Sequence, residues 1–327
     1  MKIPFADLKK EFKRVLLKLS FTEEKAELCA DIFAANSRDG VYSHGLNRFP
    51  YFVSTVRDGS VDLLAEPAFI ESKGLIEIWD GRSGAGMYNA SKAMNRAIAL
   101  AKANGMGCVA MRNTNHWMRG GTYGWQAADA GCIGICFTNT MANMPPWGGS
   151  EPRLGNNPMI IAVPRDQGHI VLDMAMTQFS YGKLNQSHTN NEELEVYGGY
   201  DEDGNLSRDP GAIIKSRRAL PIGYWKGSGL SFILDVLLTA ISGGQSTAAI
   251  NSTVSESGVS QFFLCLYQSD YHQELIEEIV QYTKSSLPAE PGGRITYPGE
   301  NTLARRRLNE LNGVPVDEKI WGEVLRM

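Results

Sequence analysis

The chemistry in this chain starts in the stretch Gly40-Val41-Tyr42-Ser43-His44-Gly45-Leu46-Asn47-Arg48, which sets a hydroxyl, an imidazole and a guanidinium close together. An imidazole exchanges a proton near neutral pH, while a guanidinium keeps its charge and grips a carboxylate with two parallel hydrogen bonds. Such a pairing suits an enzyme that acts on a small acid. The chain has only five histidines, so each can be weighed. His116, in Asn113-Thr114-Asn115-His116-Trp117, follows a strand-like run, and the loops at such strand ends are where α/β sheets assemble sites. Taken alone, such a histidine is more often a capping or core residue. Asp173 closes the apolar run Val171-Leu172 and either orients an imidazole by accepting its N–H or caps the next helix. His169, His188 and His272 read as solvated. No two histidines have metal-ligand spacing, so no catalytic metal is expected. A hydrolase triad would need an unusual geometry, because Ser43 and His44 are adjacent and no Gly-x-Ser-x-Gly elbow exists.

These residues need a scaffold, and the patterning predicts one. The first ~60 residues read as helical: Thr22 caps an acidic first turn at Glu23 and Glu24, and Leu28, Cys29, Ile32, Phe33 and Asn36 follow one helical face up to Gly40. Pro50 argues that the next helix begins beside it, not before His44. From about residue 67 the pattern turns α/β. Strands are expected at 75–79, 109–112, 133–137, 159–163 and 170–174, with helices at 88–103 and 117–130. Residues 185–216 are a polar excursion, a lid or an arm. Leu230, Ile233, Leu234, Leu237, Leu238 and Ile241 predict a strongly buried helix, 262–267 a last strand, and the final ~40 residues helix again. Segments 244–260 and 286–300, rich in Ser, Gly and Pro, are expected to be flexible connections. The expected architecture is therefore a mixed α/β sheet flanked by helices. It divides into a helical subdomain, 1–66 plus 285–327, and an α/β region, 67–284, for cofactor and substrate.

Two runs imitate nucleotide motifs. Gly84-Ala85-Gly86-Met87-Tyr88-Asn89 lacks the third glycine of a dinucleotide fingerprint, and no acidic residue for a ribose follows, so it reads as a strand-to-helix turn. In Gly223-Tyr224-Trp225-Lys226-Gly227-Ser228-Gly229 the lysine precedes its glycine, which excludes the usual phosphate loop. Its small residues, leading into the helix from Leu230, read equally as a helix N-terminus open to an anion beside Lys226 and as a purely structural turn.

Composition excludes several classes. At 327 residues, with 43% hydrophobic and 21% charged residues, this is an ordinary folded chain large enough for more than one subdomain. A net charge of −4 gives no footprint for nucleic acid or an anionic membrane. Arg305-Arg306-Arg307 is the densest basic run and reads as a solvated helix face. No apolar stretch is long enough for a transmembrane helix, and the N-terminus does not read as a signal segment. The five cysteines lie in apolar periodic segments without a Cys-x-x-Cys pair, which points to buried thiols in a reducing, cytoplasmic compartment.

Taken in order, Gly40 to Gly45 with Arg48, Asn115-His116, Gly155-Asn156-Asn157-Pro158, Leu172-Asp173-Met174-Ala175, Lys226-Gly227-Ser228-Gly229-Leu230 and Pro298-Gly299-Glu300 resemble the malate/L-lactate dehydrogenase type-2 oxidoreductases. The likeness runs through essentially the whole chain. Met144-Pro145-Pro146-Trp147-Gly148 and Trp117-Met118-Arg119-Gly120-Gly121 look most like the family's sugar-acid reductases. The resemblance implies a non-Rossmann α/β fold and a homodimer with a nicotinamide cofactor near the subunit interface. That cofactor would be NADH, with NADPH the alternative. It implies that His44 is the proton donor. The chemistry of the residues adds the expectation that Ser43 and Asp173 assist His44, that Arg48 anchors the carboxylate of a 2-oxo acid and that His116 is a second polar contact. Cofactor contacts carry over to His169, Ile170, Val171, Leu172, Asp173, Met174 and Ala175, to Trp225 and Lys226, and to Gly299, Glu300 and Asn301. The substrate is expected to be a 2-oxo sugar acid, or another acid of the malate, lactate or ureidoglycolate type. A different class, a metal-free lyase or hydratase using Ser43 and His44, would need no nicotinamide.

Overall fold

The computed structural model describes residues 1–252 and 256–327. In chain order a short strand β1 (Lys2–Ile3) leads into helices α1 (Phe5–Lys18) and α2 (Glu23–Arg38). Two 3₁₀ turns, Tyr42–His44 and Leu46–Arg48, then precede α3 (Phe49–Arg57). Strands β2 (Ala68–Lys73) and β3 (Ile76–Asp80), helix α4 (Gly86–Asn104), strand β4 (Met106–Asn115) and helix α5 (Gly121–Asp129) follow. Next come β5 (Ile133–Thr138), β6 (Met159–Val163), β7 (Ile170–Met174), α6 (Tyr181–Thr189), β8 (Gly199–Tyr200), β9 (Leu206–Ser207), α7 (Pro210–Ser216) and α8 (Trp225–Ser242). The chain ends with α9 (Thr247–Ile250), β10 (Ser257–Leu266), α10 (Gln273–Lys284), α11 (Glu300–Asn312), β11 (Val314–Pro315) and α12 (Glu318–Arg326).

Helix α2 starts where the sequence places its cap: the Thr22 side chain accepts the Lys25 N–H. Pro50 sits in the first turn of α3, where its missing N–H costs nothing, and the chain before it is free to form the tight turns that carry His44 and Arg48. Phe12, Phe33, Phe49 and Phe52 pack α1, α2 and α3 together, and Trp321 and Val324 bring α12 into the same core.

Seven strands form one sheet in the order β2-β3-β4-β10-β5-β6-β7. Only the β3–β4 pairing is parallel; the others are antiparallel, so the sheet is mixed but far less parallel than strand–helix alternation suggests. Alternate side chains leave opposite faces. On β10 and β5, Phe263 and Cys136 join α4 and α5 in one core, while Phe262 and Phe137 join Leu234 and Leu238 of α8 in another. Because β10 runs antiparallel to β4 and β5, its first residues lie beside the last residues of those strands: Ser257 pairs with Asn115 and Gln261 with Thr138. Met174, at the end of β7, pairs with Met159 at the start of β6, which in turn pairs with Phe137. Five strands, β4, β10, β5, β6 and β7, thus deliver their termini to one end of the sheet.

Several expectations are corrected. The helix expected at 117–130 begins only at Gly121, because Met118 adopts φ 67° and turns the chain. Segment 244–260 is not a flexible connection: it contains α9 and the start of the central strand β10, although residues 253–255 lie outside the described part. The excursion at 185–216 is folded, with the hairpin β8–β9 and helices α6 and α7 around Leu184, Leu194 and Ile213. Helix α8 starts at Trp225, so Gly227, Ser228 and Gly229 lie inside it. The N–H groups of Lys226, Gly227 and Ser228 bond to the carbonyls of Gly223, Ile222 and Tyr224, which closes the anion site imagined there. This helix is not strongly buried either. Leu234 and Leu238 are buried, but Leu230, Phe232, Ile233, Val236 and Leu237 are exposed, with Phe232 at 56%. Arg306 is not a solvated face residue, since it donates two hydrogen bonds of 2.8 Å to the buried Asp39.

Candidate active site

The turn that carries His44 is fastened to α2. Asn36 Nδ2 donates to the His44 carbonyl at 2.9 Å, and Ser37 Oγ accepts the Leu46 N–H at 2.8 Å. Gly45 is required there, because a Cβ would collide with the Ser37 hydroxyl. Ser43 Oγ lies 3.2 Å from His44 Nδ1. When the hydroxyl donates to Nδ1, the ring proton stays on Nε2. The ring stacks on His116, with centroids 5.7 Å apart and planes 10° apart. Burial is the largest influence on the His44 imidazole. Asp173 pulls its pKa back up and the Arg48 and Arg119 charges push it down, and the balance is about 4. His116 is held well below the ordinary range by burial, then by Arg48 and His44.

His116 is aimed by the turn that displaces the start of α5: its Nδ1 accepts the Met118 N–H at 3.0 Å. Asn115, just before it, donates to the carbonyls of Ser60, Ser83 and Gly84, and so binds the end of β4 to the glycine turn ahead of α4. Gly86 in that turn lies against the Asn115 carbonyl, where a Cβ would overlap it, so the glycines serve close helix–strand packing. The Gly155-to-Pro158 run is equally structural. Asn157 Oδ1 accepts the Thr140 N–H at 3.0 Å, and its amide donates to the Ser231 carbonyl of α8.

His44 and His116 open into a cleft of about 640 Å³. Its walls include Ser43, Arg119, Thr138, Asn139, Thr140, Asp173, Ser180 and Glu256, then Thr296, Tyr297, Gly299, Asn301 and Thr302 at the start of α11. Gly182 packs on the Ser43 side chain, so the excursion helix α6 reaches the turn that carries His44. Arg48 lies apart, in a smaller adjoining pocket with Tyr51, His116 and Glu256. Its guanidinium stacks over Tyr51 at 4.2 Å, and its Nε is buried without a hydrogen-bond partner among the described residues.

Asp173 lines the cleft, but among the described residues no hydrogen bond joins it to His44. Its Oδ2 accepts from Gly121 N at 3.1 Å and Arg119 Nε at 3.3 Å. It therefore caps α5, a helix earlier in the chain, and acts on His44 through its charge. Arg119, to which the sequence assigns no role, links Asp173 to Asp39 at 2.9 Å, and Arg38 and Arg306 also bind Asp39. Burial pushes the Asp39 carboxyl up, but these hydrogen bonds and charges hold it below the usual range.

The expected cofactor contacts divide. Val171, Leu172, Asp173, Ala175, Gly299 and Asn301 line the cleft. His169, Ile170, Met174 and Glu300 do not: His169 pairs with Asp129, Met174 packs in the core beneath α8, and Glu300 binds Lys284 and Arg294. Trp225 and Lys226 are also outside it, with Trp225 64% exposed beside the apolar face of α8. Glu256 went unnoticed because its only sequence context is a Ser/Gly-rich segment.

A dinucleotide fits this lining on two counts. The 13-residue helix α11 directs its first turn, with Asn301 and Thr302, at the cleft, and the free N–H groups of such a turn suit a pyrophosphate. Gly299, at φ 95°, lies against the backbone of Val171 and keeps that wall close and flat.

The family model for malate/L-lactate dehydrogenase matches residues 3–325. The 2,3-diketo-L-gulonate reductases of Citrobacter koseri and Escherichia coli are each 44% identical over 99% of both chains. Among solved structures, malate dehydrogenase from Pyrococcus horikoshii superposes with a TM-score of 0.89 at 28% identity, covering 100% of this chain and 94% of that one. Sulfolactate dehydrogenase from Methanocaldococcus jannaschii gives 0.88 at 29% identity over 99% and 95%.

Proposed function

The chain belongs to the malate/L-lactate dehydrogenase family, which makes it an oxidoreductase, and we propose that it reduces 2,3-diketo-L-gulonate to 3-dehydro-L-gulonate with NADH as the reductant. The observation that carries this reading is the stacked pair His44 and His116, with Ser43, lining one cleft in a chain 44% identical along its length to reductases of that acid. When bound, the nicotinamide supplies the hydride that the C2 carbonyl takes up. His44 donates the proton to the developing alkoxide, a role that typically contributes ~10²–10⁴-fold. Ser43 fixes the ring through Nδ1 and leaves Nε2 for the substrate. Arg48 attracts the carboxylate, and His116 provides a second polar contact.

In the unliganded site His44 is neutral above about pH 4. A carboxylate arriving beside it favours the imidazolium, so the acid brings its own proton-binding condition with it. Asp173 adds to this effect by its charge and holds the start of α5 in place.

The same proposal makes the protein a cytoplasmic homodimer that meets through the exposed apolar face of α8, beside Trp225 and Lys226. No helix among the described residues is long and apolar enough to cross a membrane. It also divides the chain into the helical unit 1–66 plus 285–327 and the α/β unit 67–284, the first supported by the core that α1, α2, α3 and α12 share. The test is oxidation of NADH and NADPH at 340 nm against a panel of 2-oxo acids. Turnover should be fastest with 2,3-diketo-L-gulonate and NADH. A protein that binds neither nicotinamide would reject the reading in favour of a lyase.

A further inference from the structure

The cleft contains a polar pair that proton donation does not use. His116 Nε2 and Glu256 Oε1 face each other at 4.0 Å, beyond direct hydrogen-bonding reach. Other contacts fix the role of each atom. His116 Nδ1 accepts the Met118 N–H, so the proton of the neutral ring sits on Nε2. Glu256 Oε2 accepts the Met141 N–H at 3.1 Å, which leaves Oε1 to accept from something else. Both residues line the cleft. A donor and an acceptor at this spacing fit one hydroxyl oxygen about 2.8 Å from each, accepting from the imidazole and donating to the carboxylate.

We propose that His116 and Glu256 form a clamp for one hydroxyl of the substrate, making Glu256 a residue that selects polyhydroxylated 2-oxo acids over those without hydroxyls. This rests on the reading of the site as a sugar-acid reductase. The placement is chemically economical. Glu256, His116 and the unpartnered Arg48 Nε border one small pocket, so a carboxylate drawn to Arg48 would leave its neighbouring hydroxyls close to the clamp. An acid lacking hydroxyls would strip water from Glu256 and His116 and return no hydrogen bond, which is how polar sites reject deoxy analogues.

The experiment compares kcat/KM for 2,3-diketo-L-gulonate and for 2-oxopentanoate in the wild type, Glu256→Leu and Glu256→Gln. In Glu256→Leu the ratio of the two should fall about 10- to 100-fold, the loss of one hydrogen bond to a charged group. Glu256→Gln keeps the size, but its single amide oxygen is taken by the Met141 N–H, so an amide N–H faces the hydroxyl and the ratio should fall here too. An unchanged ratio in Glu256→Leu overturns the clamp, whether both rates fall together, as a merely structural role would have it, or neither does. A wild type that reduces neither acid with either nicotinamide overturns the reductase reading itself, a separate outcome.

Discussion

At the scale of single residues, His44 has to be protonated to act in reduction yet is neutral in the free protein. Burial, Arg48 and Arg119 together outweigh Asp173 and put its pKa at about 4. The protonated fraction therefore falls tenfold per unit as pH rises beyond that value. We expect kcat/KM for reduction to fall tenfold per unit above about pH 5, while kcat, reporting the complex, breaks at a higher pH. His44→Ala should lose most of the turnover and this slope but keep NADH binding, read by fluorescence. A flat profile in the wild type would mean that the neutral ring donates. Arg48→Ala should raise KM for the acid about tenfold or more with less effect on kcat, since its role is uniform binding. An unchanged KM would make Arg48 structural. Ser43, His44 and Arg48 were legible as chemistry because one of only five histidines sits beside a hydroxyl and four residues from a guanidinium. Glu256 was not, because nothing near it in the chain hints at His116, 140 residues earlier in sequence and brought beside it by β10 pairing with β4.

At the scale of elements, the site depends on how helices are joined to the sheet end. Asp39, at the end of α2, accepts from Arg119 on the loop before α5 and from Arg306 on α11, and Arg119 also reaches Asp173 at the end of β7. One buried carboxylate thus ties together four parts of the cleft. Asp39→Asn leaves buried guanidinium groups without their counter-charge and should cost about 3–5 kcal/mol of stability, measured by urea unfolding. A loss within ~1 kcal/mol, the scale of an exposed pair, would show the network to be marginal. Helix and strand cores were readable from periodicity: the Thr22 cap, the start of α3 at Pro50 and the strands β5, β6 and β7 lie where patterning puts them. The start of α5 was not, because the left-handed turn at Met118 carries no glycine to mark it. Nor was the excursion, whose short helices and hairpin are held by the small Leu184, Leu194 and Ile213 cluster and not by long periodic faces.

At the scale of the whole molecule, this is an oxidoreductase of the malate/L-lactate dehydrogenase family on a mixed sheet whose strand ends converge on one cleft. The apolar face of α8 is the contact surface of the proposed dimer: Phe232, Ile233, Val236 and Leu237 are all more than 40% exposed. Leu237→Asp should convert a species of twice the 35.9 kDa chain mass into one of chain mass in light scattering. A wild type that is already monomeric would remove α8 as a contact surface. By itself the sequence determined local matters: the cap of α2, the start of α3, the strands β5, β6 and β7, that the thiols are buried and that no Rossmann fingerprint exists. These follow from neighbours along the chain, through periodicity, capping and side-chain type. Only the tertiary structure decided that His116 stacks on His44, that Asp173 caps α5 instead of bonding His44, that Glu256 faces the cleft, and that one side of α8 is bare. Those outcomes depend on strand order and register, which bring together residues far apart in sequence and which no local pattern encodes.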